Sequence, residues 1–528
     1  MICMPLTIQL PTSFRPRSLA IAAVAATIVA LSGCGGDGGS VGNDSAALGT
    51  DSLSVGDKAV LTQALESGVF SDSVAAEKPW LYDLWKRLVS KRRQTSSTST
   101  TIADASTSTS TSSSTASTTT APVTSTSTST PPSTTTTSPS TTTTSSTSNS
   151  TAPRLQKSDL VYVGAFRVPQ GSSDTTTFNY GGTALGLGQG GKSLFMTGHD
   201  WHQRSAEISI PEVINNPNLT GLATATLLQS FGDPTEGKLG QINPSDPNSK
   251  KVGGHLVYNG NLYVTGWSYY DGAGTQSASH FRRPLSLSSS GQVVGPVRVG
   301  SQYPGYVHGF MTTIPPEWQS AFGGPALTGH GGASIASIQS NGPAASVFDP
   351  ARIGTVSPVP ATPVVGYPLA QSLARRYGAN ETGAANAYWL ATDSVDGAAF
   401  PVGTRSVLFF GRHGQGAYCY GTGGTSGDCY DPADNSKGSH SYPYAYQVWA
   451  YDANDLLAVK AGSKAQYEVL PYAVWTFDLP YTGNSSARRL GGVAYDPATG
   501  RIYIAQRCED TNCAPVVHVM RVAAGSGQ

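Results

Sequence analysis

Beyond residue 154 the chain is written in short runs of alternating apolar and polar residues, broken by glycine, asparagine, aspartate and proline. The stretch VGGHLVYNGNLYVTG, Val252 to Gly266, shows the pattern most completely. Its Asn259-Gly260 pair supplies the positive φ angles of a type I′ turn, and the flanks alternate with the period of two that strands require, so it predicts a β-hairpin. Related units start at Gly181 (GGTALGLGQGGKSLFMTG), Gly331 (GGASIASIQSNGPAASVF) and Gly491 (GGVAYDPATGRIYIAQ). A fifth, NAYWLATDSVDG followed by TRSVLFFGRHG, lacks the glycine pair. Helical spacing is confined to Ala370–Ala379 and Asn454–Gly462, which are expected to decorate loops, and the region reads as all-β.

A recurring hairpin that cannot bury both its faces alone resembles the unit of a β-propeller, whose blades stack around a channel. The unit starts are roughly seventy to eighty residues apart, with one double interval occupied by the fifth copy. The expectation is therefore an all-β propeller of about five blades with long insertions over residues 154–528, six or seven shorter blades being the alternative. DLVYVGAFRVP, from Asp159, is expected to close the ring by pairing with the last blade.

The preceding residues follow different patterns. Arg15 and Arg17 precede an apolar run from Leu19 to Leu31, too short for a membrane span and laid out like an export signal. The run ends in Leu31-Ser32-Gly33-Cys34, which resembles the lipobox of bacterial lipoproteins. That resemblance implies a signal peptide over residues 1–33, lipidation of Cys34 and a membrane anchor, with Gly35 after the cysteine implying the outer membrane. Residues 34–94 form a leader with two short helical patterns; Trp80, Leu81, Leu84, Trp85 and Leu88 make an apolar face. Residues 95–153 are nearly all Ser and Thr with scattered Pro, too poor in apolar surface to offset the entropy of ordering, and read as a disordered stalk.

Composition narrows the function classes. Lys plus Arg total 33 and Asp plus Glu total 33, so no basic face advertises nucleic acid. Of six cysteines, Cys3 and Cys34 belong to the export segment. The rest fall into two close pairs, Cys419 with Cys429 and Cys508 with Cys513, suiting two local disulfides in an oxidising compartment. Their spacings do not fit a zinc ribbon, and no glycine-rich loop joins a strand to a helix, so neither metal nor cofactor is expected.

In a hairpin the first strand begins where the second ends. If the glycine pairs open the innermost strands, one end of the channel gathers His255 and His330 with His199, Asp200, Trp201, Trp267, Tyr269, Arg412, His413 and Arg507. Aromatic faces at a mouth stack on sugar rings, and arginines meet carboxylates or sulfates. The leading expectation is a displayed propeller that binds glycan or another extracellular ligand. An enzyme acting on polysaccharide is the competing class. A lyase ranks first, with Arg412 or His255 neutralising a uronate and His199 or a tyrosine moving protons; a glycoside hydrolase ranks lower because Asp200 lacks a second carboxylate. A lid containing His280, Arg282 and Arg283 and a protein-interaction role for the Trp80–Leu88 face complete the alternatives.

Overall fold

The computed structural model describes residues 151–246, 249–330, 338–481 and 486–523. The export segment, Cys34, the leader and the linker up to residue 150 lie outside them.

The chain enters through β1 (Leu160–Arg167) and then lays down four-stranded antiparallel sheets in succession. Blade I holds β2 (Leu185–Leu187), β3 (Ser193–Thr197), β4 (Ser205–Ser209) and β5 (Leu227–Gly232). Blade II holds β6 (Lys250–Tyr258), β7 (Asn261–Ser268), β8 (His280–Pro284) and β9 (Val294–Val297). Blade III holds β10 (Met311–Thr313), β11 (Ala326–Gly329), β12 (Ala345–Phe348) and β13 (Ala361–Val365). Blade IV starts with β14 (Ser394–Ala399) and β15 (Ser406–Gly414), is interrupted by a separate hairpin of β16 (Cys419–Thr422) and β17 (Lys437–His440), and resumes with β18 (Tyr444–Asp452) and β19 (Ala473–Phe477). Blade V holds β20 (Leu490–Asp496), β21 (Arg501–Asp510) and β22 (Ala514–Val522) and takes β1 as its outermost strand.

The innermost strands meet in sequence, β2 with β6, β6 with β10, β10 with β14, β14 with β20, and β20 with β2. The protein is a five-bladed β-propeller, closed by pairing of β1 with β22 from Leu160 opposite Val522 to Arg167 opposite Val516. Each blade is apolar on both faces because each is covered on both sides. Phe409, Trp449 and Tyr451 pack with Phe310 and Val365 on one side of blade IV, and Phe410, Tyr446 and Val448 pack with Val493 and Ile504 on the other. Each such large side chain contributes roughly 1.5–3 kcal/mol on burial.

The Asn259-Gly260 turn has φ of 46° and 72° and joins β6 to β7 as expected. Glycine pairs mark close approach of neighbouring inner strands. A Cβ on Gly253 would overlap the His308 carbonyl oxygen, and one on Gly491 the Gly182 carbonyl. The Gly331 unit is different. The inner strand of blade III is β10, preceded by His308-Gly309, and the Gly331 pair lies outside the described residues. Among the described residues three helices decorate connections: α1 (Pro316–Phe322), α2 (Leu373–Arg376) and α3 (Ala453–Lys460).

Candidate functional site

The residues that open inner strands and close second strands collect at one end of the ring. In blade I the turn after β3 carries His199, Asp200 and Trp201. Lys251 of β6 donates to both the Asp200 backbone carbonyl and its carboxylate, each at 2.8 Å, and Gln203 accepts from the Val252 N–H at 2.6 Å. The turn is thus clamped to blade II, leaving Trp201 81% exposed. The His199 ring lies edge-on between Tyr180 and Trp201, with centroids 5.4 and 5.5 Å away. Its Nδ1 accepts the Trp201 N–H at 3.2 Å, which leaves the proton on Nε2, and burial holds its pKa below the ordinary histidine range.

The aromatic rim continues into blades II and III. Tyr269 is 44% exposed and lies 5.9 Å from the Lys251 ammonium, Trp267 sits 6.2 Å from Tyr269, and His308 lies 6.1 Å from both Trp267 and the stacked ring of His330. His330 reaches this end because it follows β11, not because it opens an inner strand.

Blades IV and V supply the charged centre. In β14 the pairing with β15 slips between Val395 and Gly397, so Asp396 is a bulge residue, and bulges re-aim the side chain they carry. Its carboxyl is half-buried, accepts from Ser394 Oγ at 3.1 Å and is influenced by Arg507, Arg412 and Arg489. Burial outweighs these partners and pushes its pKa up to about 7. The Arg412 guanidinium stacks 4.3 Å from the Tyr444 ring centroid and donates to the Thr392 and Ala487 carbonyls at 3.1 and 3.4 Å. Arg507 donates to the Tyr180 carbonyl at 3.2 Å. Neither arginine has an ion-pair partner among the described residues. Arg489 pairs with Asp434 at 2.7 Å.

Asp434 and the Tyr444 environment come from the blade IV insertion. Asp431, fully buried, accepts from Tyr444 Oη at 2.7 Å and lies 2.8 Å from His440 Nδ1. The Cys419–Cys429 disulfide staples the insertion, with Cα atoms 5.7 Å apart. The second expected bridge, Cys508–Cys513, links the turn between β21 and β22.

Two histidines named from the sequence have packing duties. His255 lies within β6, nearer the hairpin turn than the mouth, packed against Gly186 of β2, with Nε2 3.0 Å from Ser205 Oγ. Burial lowers its pKa to about 4, so it is a neutral brace between blades I and II. His413 is at the mouth end but buried, with Nδ1 2.7 Å from the Asp393 carboxylate and Nε2 2.9 Å from the Asn386 carbonyl. Both ring nitrogens therefore face acceptors. Although burial opposes charging, Asp393 and the carbonyl hold its pKa above the ordinary value, and the ring fastens these two groups together. The lid reading fails too: His280 is buried in β8, 2.9 Å from Thr328 Oγ1, and the buried Arg283 donates to backbone carbonyls.

Sequence reasoning missed Asp396, Arg489, Lys251 and His308. The signal for Asp396 was present: SVDG sets an aspartate where the blade II strand has Gly253. A cavity of about 790 Å³ lies at the opposite end of the channel, lined by inner-strand ends and hairpin turns such as Gly188–Lys192 and Val493–Thr499, away from the arginines.

The fold and site together define a five-bladed propeller with an arginine-lined, aromatic-rimmed mouth. No protein-family model matches the chain, and no curated protein matches it. Among solved structures it is similar to a GH43 endo-arabinanase from Bacillus licheniformis, at 12% identity and a TM-score of 0.33, over 66% of this chain and 95% of that one. It is also similar to a structure described under the GH130 family of mannoside phosphorylases, at 11% identity and TM-score 0.35, over 70% and 96%. A third likeness is a protein of unknown function from Dyadobacter fermentans, at 9% identity and TM-score 0.31, over 69% and 99%.

Proposed function

We propose that the protein is an envelope lipoprotein, anchored through Cys34, whose stalk displays the propeller so that its mouth binds an acidic extracellular polysaccharide. The carrying observation is the pair of half-buried guanidiniums, Arg412 and Arg507, that converge on the channel without carboxylate partners among the described residues. A guanidinium offers five donors in a planar fork, and backbone carbonyls occupy only part of that capacity here. A carboxylate or sulfate on a sugar would complete it. Trp201, Tyr180 and Tyr269 around the same opening are flat apolar faces in solvent, suited to the ring faces of a glycan.

The test is equilibrium binding of the full-length, detergent-solubilised chain to polygalacturonate and alginate against neutral dextran. Retention of the acidic polymers alone, weakened by salt and by Arg412→Ala or Arg507→Ala, supports the reading. Equal retention of dextran overturns it. Incorporation of labelled palmitate, absent from Cys34→Ser, tests the anchor separately.

A further inference from the structure

Asp396 stands apart among the carboxylates near this mouth. Asp200 is committed to Lys251, Asp434 to Arg489, Asp393 to His413 and Asp431 to His440. Glu509 is buried within β21 and has a partner. Asp396 faces three arginines, receives one hydrogen bond from Ser394 and forms no ion pair among the described residues. An acid left without a cation beside cations left without an acid is a site arranged around a missing third party.

We propose that the mouth is a β-eliminating site for a uronate polysaccharide, in which Arg412 and Arg507 hold the uronate carboxylate and Asp396 moves the proton. This rests on the acidic-glycan reading above. The guanidiniums draw charge from the carboxylate and acidify the hydrogen on the carbon next to it. Asp396, as carboxylate, takes that hydrogen as a proton. The electron pair of the broken C–H bond forms a double bond to the β-carbon, and the bond from the β-carbon to the glycosidic oxygen breaks with its pair on oxygen. Asp396 then returns the proton to that oxygen, so one residue serves as base and acid. The products are a chain bearing a new hydroxyl and a chain ending in an unsaturated uronate. No water, oxidant or metal is consumed.

The position of Asp396 supports this double role. It projects from a bulge in an innermost strand, and its surroundings tune it to neutrality, where it can accept and release a proton with equal ease. The charged groups facing it are Arg412 from β15, Arg507 from β21 and Arg489 at the entry to β20; Asp200 in turn influences Arg507, and Asp393 influences Arg412.

The experiment incubates the full-length chain with polygalacturonate and alginate while following binding, new reducing ends and the ultraviolet absorbance of a double bond conjugated to a carboxylate. The expected result is equal yields of reducing ends and conjugated double bonds, with Asp396→Asn losing about a hundredfold or more in turnover and keeping its affinity. The limb of the kcat profile near neutrality should move to higher pH in Ser394→Ala, which removes a hydrogen bond to the carboxylate. Binding without cleavage, or reducing ends without absorbance, overturns the elimination and leaves the binding reading standing. An unmoved limb in a folded Ser394→Ala protein overturns the role of Asp396. Absence of binding defeats the underlying reading instead.

Discussion

Asp396 occupies in β14 the bulge position that Gly253 occupies in β6, so the place where one inner strand needs the smallest residue is where another carries a carboxyl under the influence of Arg412, Arg489 and Arg507. In blade II neither Gly253, against the His308 carbonyl, nor Gly254, against the Gly309 carbonyl, has room for a side chain, whereas blade IV keeps a glycine only at Gly397, beside Val493. Replacing the first glycine of the pair by aspartate converts a packing feature into a chemical one.

This placement has a pH signature in stability. The folded-state pKa of Asp396 is about 7, above the ordinary 3.8, so the fold prefers the protonated form. Its contribution is complete below about pH 4, declines as pH rises and is gone above about pH 7. Asp396→Asn stays neutral throughout. It is expected to exceed the wild type above neutrality by on the order of 1–2 kcal/mol, the full shift being discounted for the water that reaches this half-buried group. Denaturant midpoints at pH 5 and pH 8 for both proteins check this; a constant difference between them contradicts it.

His413 predicts a separate dependence. Its pKa is raised by Asp393 and the Asn386 carbonyl, so its stabilisation is full below the ordinary value of 6.5 and is lost as pH rises through the folded-state value. His413→Gln should destabilise the protein by about 3 kcal/mol at pH 5.5, since it leaves Asp393 buried without its cation, and by less in alkaline buffer. Thermal melts across that range measure the narrowing gap.

The blade IV insertion is expected to matter more for the mouth than for the fold. Removing the Cys419–Cys429 staple with a Cys419→Ser, Cys429→Ser pair frees a loop that holds Arg489 through Asp434 and, through Asp431, the Tyr444 ring stacked on Arg412. Amide exchange between residues 415 and 443 should accelerate, and affinity for an acidic glycan should drop severalfold, while global unfolding shifts by less than the roughly 2–4 kcal/mol typical of a disulfide. An unchanged affinity with accelerated exchange would show that the insertion does not position the arginines.

Trp201 and His255 separate rim from brace. Trp201→Ala removes an exposed ring and should cost about tenfold in glycan affinity with stability unchanged within roughly 0.5 kcal/mol. His255→Ala should do the reverse, destabilising by about 1–3 kcal/mol through loss of the Ser205 contact and the packing on Gly186, with affinity intact. Calorimetric melts beside binding isotherms distinguish the two.

The propeller was legible because its determinants are local. Alternation, the Asn259-Gly260 turn and glycine pairs at crowded strands all appear in the sequence, and Asp159 to Pro169 has the strand pattern that closes the ring. The inner strand of blade III was not legible because it is Met311–Thr313, only three residues long, while the Gly331 pair lies outside the described residues. The aromatic and arginine positions at the mouth followed from hairpin geometry. Asp396 did not, since its chemistry comes from a register slip and from arginines in β15, β21 and the entry to β20, far apart in the chain. The distinction between His255 as brace and His199 at the rim likewise depends on neighbours in adjacent strands.

The most direct measurement is calorimetric titration of polygalacturonate into the full-length chain at several salt concentrations, beside Arg412→Ala and Arg507→Ala. Salt-sensitive binding that each variant weakens by about tenfold or more is the predicted result, as for a charge-assisted contact of roughly 1.5–3 kcal/mol. Binding that neither substitution changes, or that neutral dextran matches, would contradict an acidic-glycan site at this mouth.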